Sequence, residues 1–473
     1  MFLFPVIYIL AFIYAINQLI RKEIMGLMIF IIIGLPIYIN VLSVTYMYQM
    51  GKLIPLLQSF KEICVFLAFY MVVSNLKVKP RFHLIDKLVA IFFFCSLTYA
   101  ILPIGPYDLF HRLLAFKVMS IFPVIYYTGR LCKASSININ TVFTYICTVM
   151  IIAAIVVLFE VGFYQHIHNY TGFTNYLTEY LNGEASGSYG LIWTFETESG
   201  LKRFGSIFSS PLELSSATIL AVAALLALAT NKRNGIDITN FNLIALAATL
   251  ICIVLAISRA AFANYFLLIL CYAYITRQRK LIVYLQFFFI TTALFIVFFL
   301  KGDLYNFIMS TIRFENASSV GHVVEWLNGI DAMVSHPLGL GLGSSGRVSM
   351  ESKDHIGGEN QLIITGVQVG IPMLIVYTTI YIHLITTGIK ALRTATGKKK
   401  KLILFVVLVK IGIILPLLTS YIESFIYLIY TSHFLSGLMM NMIMNDSAQL
   451  AVKTNTSFSN ISSPDNDNRY SQC

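Results

Sequence analysis

The chain has 473 residues, 58% of them hydrophobic and 12% charged, with a net charge of +11 and a mean hydropathy of +0.78. A soluble domain carries about 25% charged residues, so a large soluble enzyme is excluded. Nucleic-acid binding is excluded as well, because the basic residues fall in short clusters between apolar runs and leave no extended basic surface.

Apolar runs long enough to cross a ~30 Å hydrocarbon core as helices recur along the chain. They predict an all-α polytopic membrane protein, a bundle of about 12–13 transmembrane helices with a large outer-face loop near the C-terminus. In chain order the spans are expected at about 2–20, 24–48, 53–73, 88–104, 113–131, 141–164, 211–230, 241–257, 260–276, 281–300, 361–388, 402–420 and 424–443. The first lacks a basic leader and a small-residue cleavage pattern, so it is expected to be retained. Six cysteines lie in or beside these runs and the seventh is Cys473, with neither a disulfide framework nor zinc spacing.

If the spans alternate, one side of the membrane collects 21 Lys and Arg and the other 9. The positive-inside rule makes the rich side cytoplasmic and puts the N-terminus outside. The two longest connections, 165–210 and 301–360, then lie on the outer face, where long loops in a compact protein are usually functional. The transmembrane domain is expected over 1–444. The polar, Ser- and Asn-rich stretch 445–473 is expected to be a disordered cytoplasmic tail.

Four outer-face stretches hold residues suited to chemistry. Arg203 leads through Gly205 and Pro211 into a span, either as a functional cation or as an interfacial arginine reaching the headgroups. Arg259 follows Ser258 inside the apolar run 241–276. An arginine at a span centre costs about 2.5–3.5 kcal/mol on insertion scales, so the run is expected to break there, with Arg259 at an outer turn or in a polar cavity. The long loop carries Arg313 and then HPLGLGLGSSGR, ending at Arg347. Gly341, Gly343 and Gly346 fit G-x-G-x-x-G, but no βαβ pattern surrounds them, so they are expected to allow an irregular backbone close to a ligand. Glu359 and Asn360 stand at the mouth of the span at 361, either as a functional pair or as a solvated helix N-terminus favoured by the dipole. His166 and His168 form a weak metal pair without further ligands nearby. Lys410 and Glu423 are either a buried pair or a snorkelling lysine beside an unrelated carboxylate.

In their order these stretches resemble the O-antigen polymerase and O-antigen ligase superfamily. Arg203, Gly205 and Pro211 match its outer Arg-Gly-Pro pattern, and Ser258 and Arg259 match an Arg after Ser in an apolar run. Pro337, Gly339 and Gly341 match the Pro and Gly-x-Gly of its large loop, and Glu359, Asn360 and Gly370 match a polar pair ahead of a Gly. The resemblance covers residues 200–390 in detail. Ligases carry His where this chain has Glu359, so it leans toward the polymerase branch.

The resemblance implies a glycosyltransferase of the bacterial plasma (inner) membrane, facing the periplasm or cell exterior. It would join undecaprenyl pyrophosphate-linked oligosaccharides into O-antigen, capsule or a related surface polysaccharide. Arg203 and Arg259 would stabilise the leaving pyrophosphate and Glu359 would act as base. Arg313, Arg347, Asn360 and Gly341 would bind substrate. No metal or cofactor is expected, since arginines can supply the electrostatic stabilisation. Membrane lipids, a chain-length regulator and a flippase are the expected partners. The alternatives are a ligase passing polymer to the lipid A core and a flippase or transporter of lipid-linked sugars.

Overall fold

The protein is described here by a computed structural model covering residues 1–76, 79–197, 200–231, 235–298, 317–346 and 356–459. Every described regular segment is helical. Each of the expected spans falls on a helix: α1 (Leu3–Ile20), the bent pair α2 (Met25–Gly34) and α3 (Tyr38–Met47), α4 (Ile54–Ser74), α5 (Leu84–Ile101), α6 (Leu109–Leu131), α7 (Ile139–Phe163), α8 (Pro211–Ala229), α9 (Asn240–Leu255), α10 (Arg259–Thr276) and α11 (Arg279–Phe298). After α12 (Ala317–Ser335), in the second outer loop, come α13 (Gln361–Leu392), α14 (Gly397–Thr419) and α15 (Ile426–Ser459). Among the described residues, 9 helices are long and apolar enough to cross a membrane, or 10 if α2 and α3, bent by 62°, form one span. That is fewer than the expected 12–13. Part of the difference lies in α9, which has only 16 residues. The run 241–276 breaks between Leu255 and Arg259, as the cost of a mid-membrane arginine requires.

The helices differ in how deeply they are buried in the bundle. In α8, rich in Ala and Ser, 83% of the spanning window is buried, and in α14 72%, against 28% in α1. Small residues let neighbouring backbones approach in a medium that supplies no hydrophobic drive between helices. The most extensive pairing, α6 with α15, depends on two glycines. A Cβ on Gly129 would stand 2.0 Å from the Phe434 carbonyl oxygen, and one on Gly437 2.0 Å from that of Tyr126. At the periphery, α11 turns Val283, Tyr284, Phe287 and Ile290 outward, the pattern of a face exposed to lipid.

The basic clusters at Arg21, Arg130, Arg277 and Lys390–Lys401 all fall at one set of helix ends. At that end α5, α6 and α15 are locked by a buried network. Asp86 accepts from Arg130 Nε (3.1 and 3.2 Å) and from the Tyr126 hydroxyl (2.6 Å). Asn441 Nδ2 donates to the Arg130 and Cys132 carbonyls. α15 continues to Ser459, into the stretch expected to be disordered; residues 460–473 lie outside the described residues.

Removing one member of a buried ion pair strands the other charge, at a cost of about 3–5 kcal/mol, whereas an apolar replacement of both is far milder. Arg130→Met should therefore lower thermal stability in detergent steeply, and Asp86→Leu combined with Arg130→Met should recover most of it.

Candidate functional site

The opposite helix ends carry the two long connections that the charge pattern predicts to face outward, the outer loops of the sequence analysis. The first loop is tied down by Glu160, near the end of α7, whose Oε1 accepts from Ile167 N (2.8 Å) and Oε2 from Ser206 N (3.0 Å). Ser206 Oγ donates to the Ala153 carbonyl and Asn40 Nδ2 to that of Ile207. His168 Nε2 donates to the Phe208 carbonyl (2.8 Å). His166 and His168 pack against Phe195, with Phe204 against the first and Phe173 against the second. Burial pushes both imidazoles down, His166 to about 4 and His168 to about 3, so both are neutral. They form the floor of the loop. Among the described residues, no three His, Cys, Asp or Glu side chains are grouped to hold a metal.

This anchoring delivers Arg203 to the break between α9 and α10. Arg203 N donates to Phe195 O (2.8 Å) and Phe204 N to Leu255 O (3.1 Å). The buried guanidinium donates through Nε to the Ala256 carbonyl (3.1 Å). The turn it clasps holds Ile257 at a φ of 45°, a left-handed conformation costly for a β-branched residue, and Arg259 opens α10 directly afterwards. Arg203 and Arg259, 56 positions apart in the chain, thus meet in electrostatic range. The Arg203 guanidinium is pushed down to about 10, mainly by burial and then by the Arg259 charge, while Glu359 pulls it back up.

Glu359 comes from the second outer loop. α13 is broken at Gly370 (φ 84°) ahead of Pro372, and the PLGLG segment fills the break. Leu340 N donates to Val367 O (2.7 Å), Gly341 N to Gln368 O (3.1 Å) and Ile371 N to Pro337 O (2.9 Å), so the backbone groups freed by the kink are paired. Gly341 (φ 99°) is required there, because a Cβ would stand 2.2 Å from the Ile104 carbonyl oxygen. Asn360 is buried and caps α13, its Oδ1 accepting from Leu362 N (3.0 Å) and Ile363 N (3.2 Å). The cap and the filled kink fix the first turns of α13, and Glu359 immediately precedes them. Its carboxyl is raised above the usual range, first by burial and then by Glu325 of α12, against the opposing pull of His322 and Arg203. Arg313 and Arg347 lie outside the described residues.

Glu359 borders a cavity of about 570 Å³ between the first outer loop, α3, α4, α6 and the turn before α15. This is within the roughly 300–1,000 Å³ of small-molecule sites. One wall carries Lys61 and Lys117, both on Glu62 Oε1 (3.0 and 2.8 Å); the other carries Glu213 and Glu423. Lys410 is buried with its Nζ 4.6 Å from the Tyr381 ring centre, and Glu423 accepts from the Tyr377 hydroxyl (2.8 Å).

Sequence reasoning singled out Arg203, Arg259 and Glu359, which the fold assembles. It missed Glu160, Glu213, Glu325 and the Lys61–Glu62–Lys117 cluster as parts of the site. A carboxylate within an apolar run was the signal available for Glu62, Glu160 and Glu213; Glu325 gave none, being one polar residue in a polar loop.

The arrangement offers two cations able to bind a phosphate or pyrophosphate beside a desolvated carboxylate able to take a proton, with a ligand-sized cavity adjoining. Residues 244–378 match the model of the family described as O-antigen ligase, a stretch running from within α9 through Arg259, the PLGLG segment and Glu359 to within α13. The match supports the O-antigen ligase and polymerase superfamily. Comparison with curated protein sequences finds no match.

Glu160→Ala leaves two buried backbone N–H groups without an acceptor, at about 1–3 kcal/mol each, so the first outer loop should detach. Limited proteolysis should cut between residues 165 and 210 much faster than in the parent protein, and Glu160→Gln, which keeps one acceptor, should fall between the two.

Proposed function

We propose that this chain, a polytopic membrane enzyme of the O-antigen ligase and polymerase superfamily, polymerises undecaprenyl pyrophosphate-linked oligosaccharides on the outer face of the bacterial inner membrane. The observation carrying this reading is the convergence of three separate stretches at one set of helix ends, where Arg203 lies in electrostatic range of both Arg259 and Glu359.

In this reaction a hydroxyl oxygen of the acceptor sugar attacks the anomeric carbon of the donor glycan. The bond from that carbon to the pyrophosphate oxygen breaks, and its electron pair leaves with the lipid pyrophosphate. Arg203 and Arg259 stabilise the charge gathering on the leaving group. Guanidinium is suited to this because it stays protonated even when partly desolvated and matches phosphate geometry. Glu359 takes the hydroxyl proton, and a pKa raised toward neutrality brings a carboxylate closer to the range of an effective base. Direct displacement inverts the anomeric centre. A flippase supplying the lipid-linked unit and a regulator of chain length are the partners this chemistry calls for.

A second reading, transfer of finished polymer to the lipid A core, is favoured by the description of the matched family itself; the carboxylate at 359 in place of a ligase histidine favours polymerisation. The two differ in what a strain lacking the protein accumulates. Loss of a polymerase leaves surface core bearing single repeat units, and loss of a ligase leaves lipid-linked polymer that never reaches the core.

Purified protein in liposomes, given lipid-linked repeat units, should produce a ladder of longer lipid-linked glycans. Arg203→Ala and Arg259→Ala should each abolish the ladder without loss of protein from the membrane, and near-normal chains in either would sink the pyrophosphate assignment. Glu359→Gln should retain substrate binding but not turnover. The working form of Glu359 is ionised, so the rate should fall as the pH drops through its raised pKa. Glu325→Gln removes a charge that raises that pKa, and should move the acid limb of the pH–rate profile to lower pH.

A further inference from the structure

The cavity beside Glu359 has two buried oxygens that nothing in the protein satisfies. Glu423, 5% exposed, uses Oε1 to accept from Tyr377 and leaves Oε2 without a hydrogen bond. Glu213, 4% exposed, uses Oε2 to accept from Ser209 N (3.1 Å) and Ser209 Oγ (2.5 Å). Its Oε1 makes no hydrogen bond of normal geometry, although the Tyr427 backbone N–H lies beside the carboxyl. Thr194 Oγ1, on the first-loop side of the same cavity, is likewise buried and unpaired. Such atoms ordinarily find partners, because leaving them unpaired forfeits their hydration. Three bordering one cavity of about 570 Å³ indicate that the partner is a ligand.

The donor and acceptor pattern defines the ligand class. The carboxylate wall asks for donors, while on the Lys61 and Lys117 wall Lys61 is already committed to Glu62, Tyr38 and the Gln58 carbonyl and the ammonium of Lys117 has donors beyond its contact with Glu62. A metal ion or an amine would suit the first wall and oppose the second. A phosphate would do the reverse. Among the described residues the acidic side chains do not form a metal-holding group. A polyhydroxylated ligand, each of whose hydroxyls both donates and accepts, satisfies both walls at once.

We infer that this cavity is a saccharide subsite in which Glu423, Glu213 and Thr194 accept and orient hydroxyls of the acceptor glycan, presenting one of them to Glu359. Its assignment to the acceptor rests on the function proposed above. The subsite itself rests on the unpaired oxygens. Separation from Arg203 and Arg259, neither of which borders the cavity, divides the labour between glycan recognition and stabilisation of the leaving group.

The test uses the free oligosaccharide obtained by mild acid from the lipid-linked repeat unit of a strain lacking this protein, titrated into the full-length chain in nanodiscs. The parent protein should bind it saturably. Glu423→Gln and Glu213→Gln each replace an unpaired carboxyl oxygen by an amide group, and should weaken binding about tenfold, the effect of one hydrogen bond. Thr194→Val, isosteric and on the loop side, should weaken it several-fold and serves if either carboxylate variant fails to fold. Arg259→Ala, outside the cavity lining, should bind within about twofold of the parent. Absence of saturable binding, or equal binding in folded Glu423→Gln, Glu213→Gln and Thr194→Val, would overturn the subsite, as would binding lost only in Arg259→Ala. Saturable binding that depends on Glu423 and Glu213, in a protein that transfers no glycan from lipid-linked units, would instead retain the subsite and remove the polymerase reading.

Discussion

The contact on which the outer face depends is the hydrogen bond from the Arg203 guanidinium to the Ala256 carbonyl. It joins the first outer loop to the break between α9 and α10, one residue before the left-handed Ile257. A single buried donor thereby sets the position of two cations, because Arg259 follows that turn immediately. Burial accounts for most of the depressed pKa of Arg203, the Arg259 charge adds to it, and the nearby Glu359 offsets part of it. A dianionic leaving group would offset more, so the same repulsion that disfavours the empty pair favours a bound phosphate.

The second organising constraint is the broken helix α13. Within a bilayer a kink is tolerated only where other groups pair the backbone atoms it frees, and here the PLGLG segment does so through three backbone hydrogen bonds. The glycines fit this task better than a phosphate-binding loop. Gly341 presses against the 102–107 turn, where a side chain has no room, and its amide is already committed to Gln368. Pairing of loop and helix, with the Asn360 cap, makes the start of α13 a rigid platform, and Glu359 stands on its edge.

Around this platform the protein keeps several carboxylates away from water. Glu160 is fully used in holding the first loop, with both oxygens accepting backbone N–H groups. Glu213 and Glu423 are only half used, each with one oxygen bonded and one bare. That difference separates a structural carboxylate from one kept available for a ligand, and burial alone does not reveal it.

The one-dimensional pattern determined the bundle. Apolar runs of membrane-crossing length leave little freedom in the kind and order of elements, since hydrocarbon admits almost no other backbone, although fewer helices are long enough to cross than the runs predict. The same arithmetic located the break ahead of Arg259, because the insertion cost of a charge is a property of the residue and its depth. Arg203, Arg259 and Glu359 were legible for a related reason: each is a charged residue next to a glycine, proline or span boundary, although an interfacial arginine or a solvated helix N-terminus would read the same way in one dimension. What each partner does was settled only in three dimensions. Asn360 spends its oxygen on a helix cap, His166 and His168 are neutral packing under the loop, and Glu213, Glu423 and Lys117 face one cavity from three separate elements. Hydrogen-bond saturation depends on which atoms from distant segments come within about 3 Å, and no spacing along the chain encodes that distance.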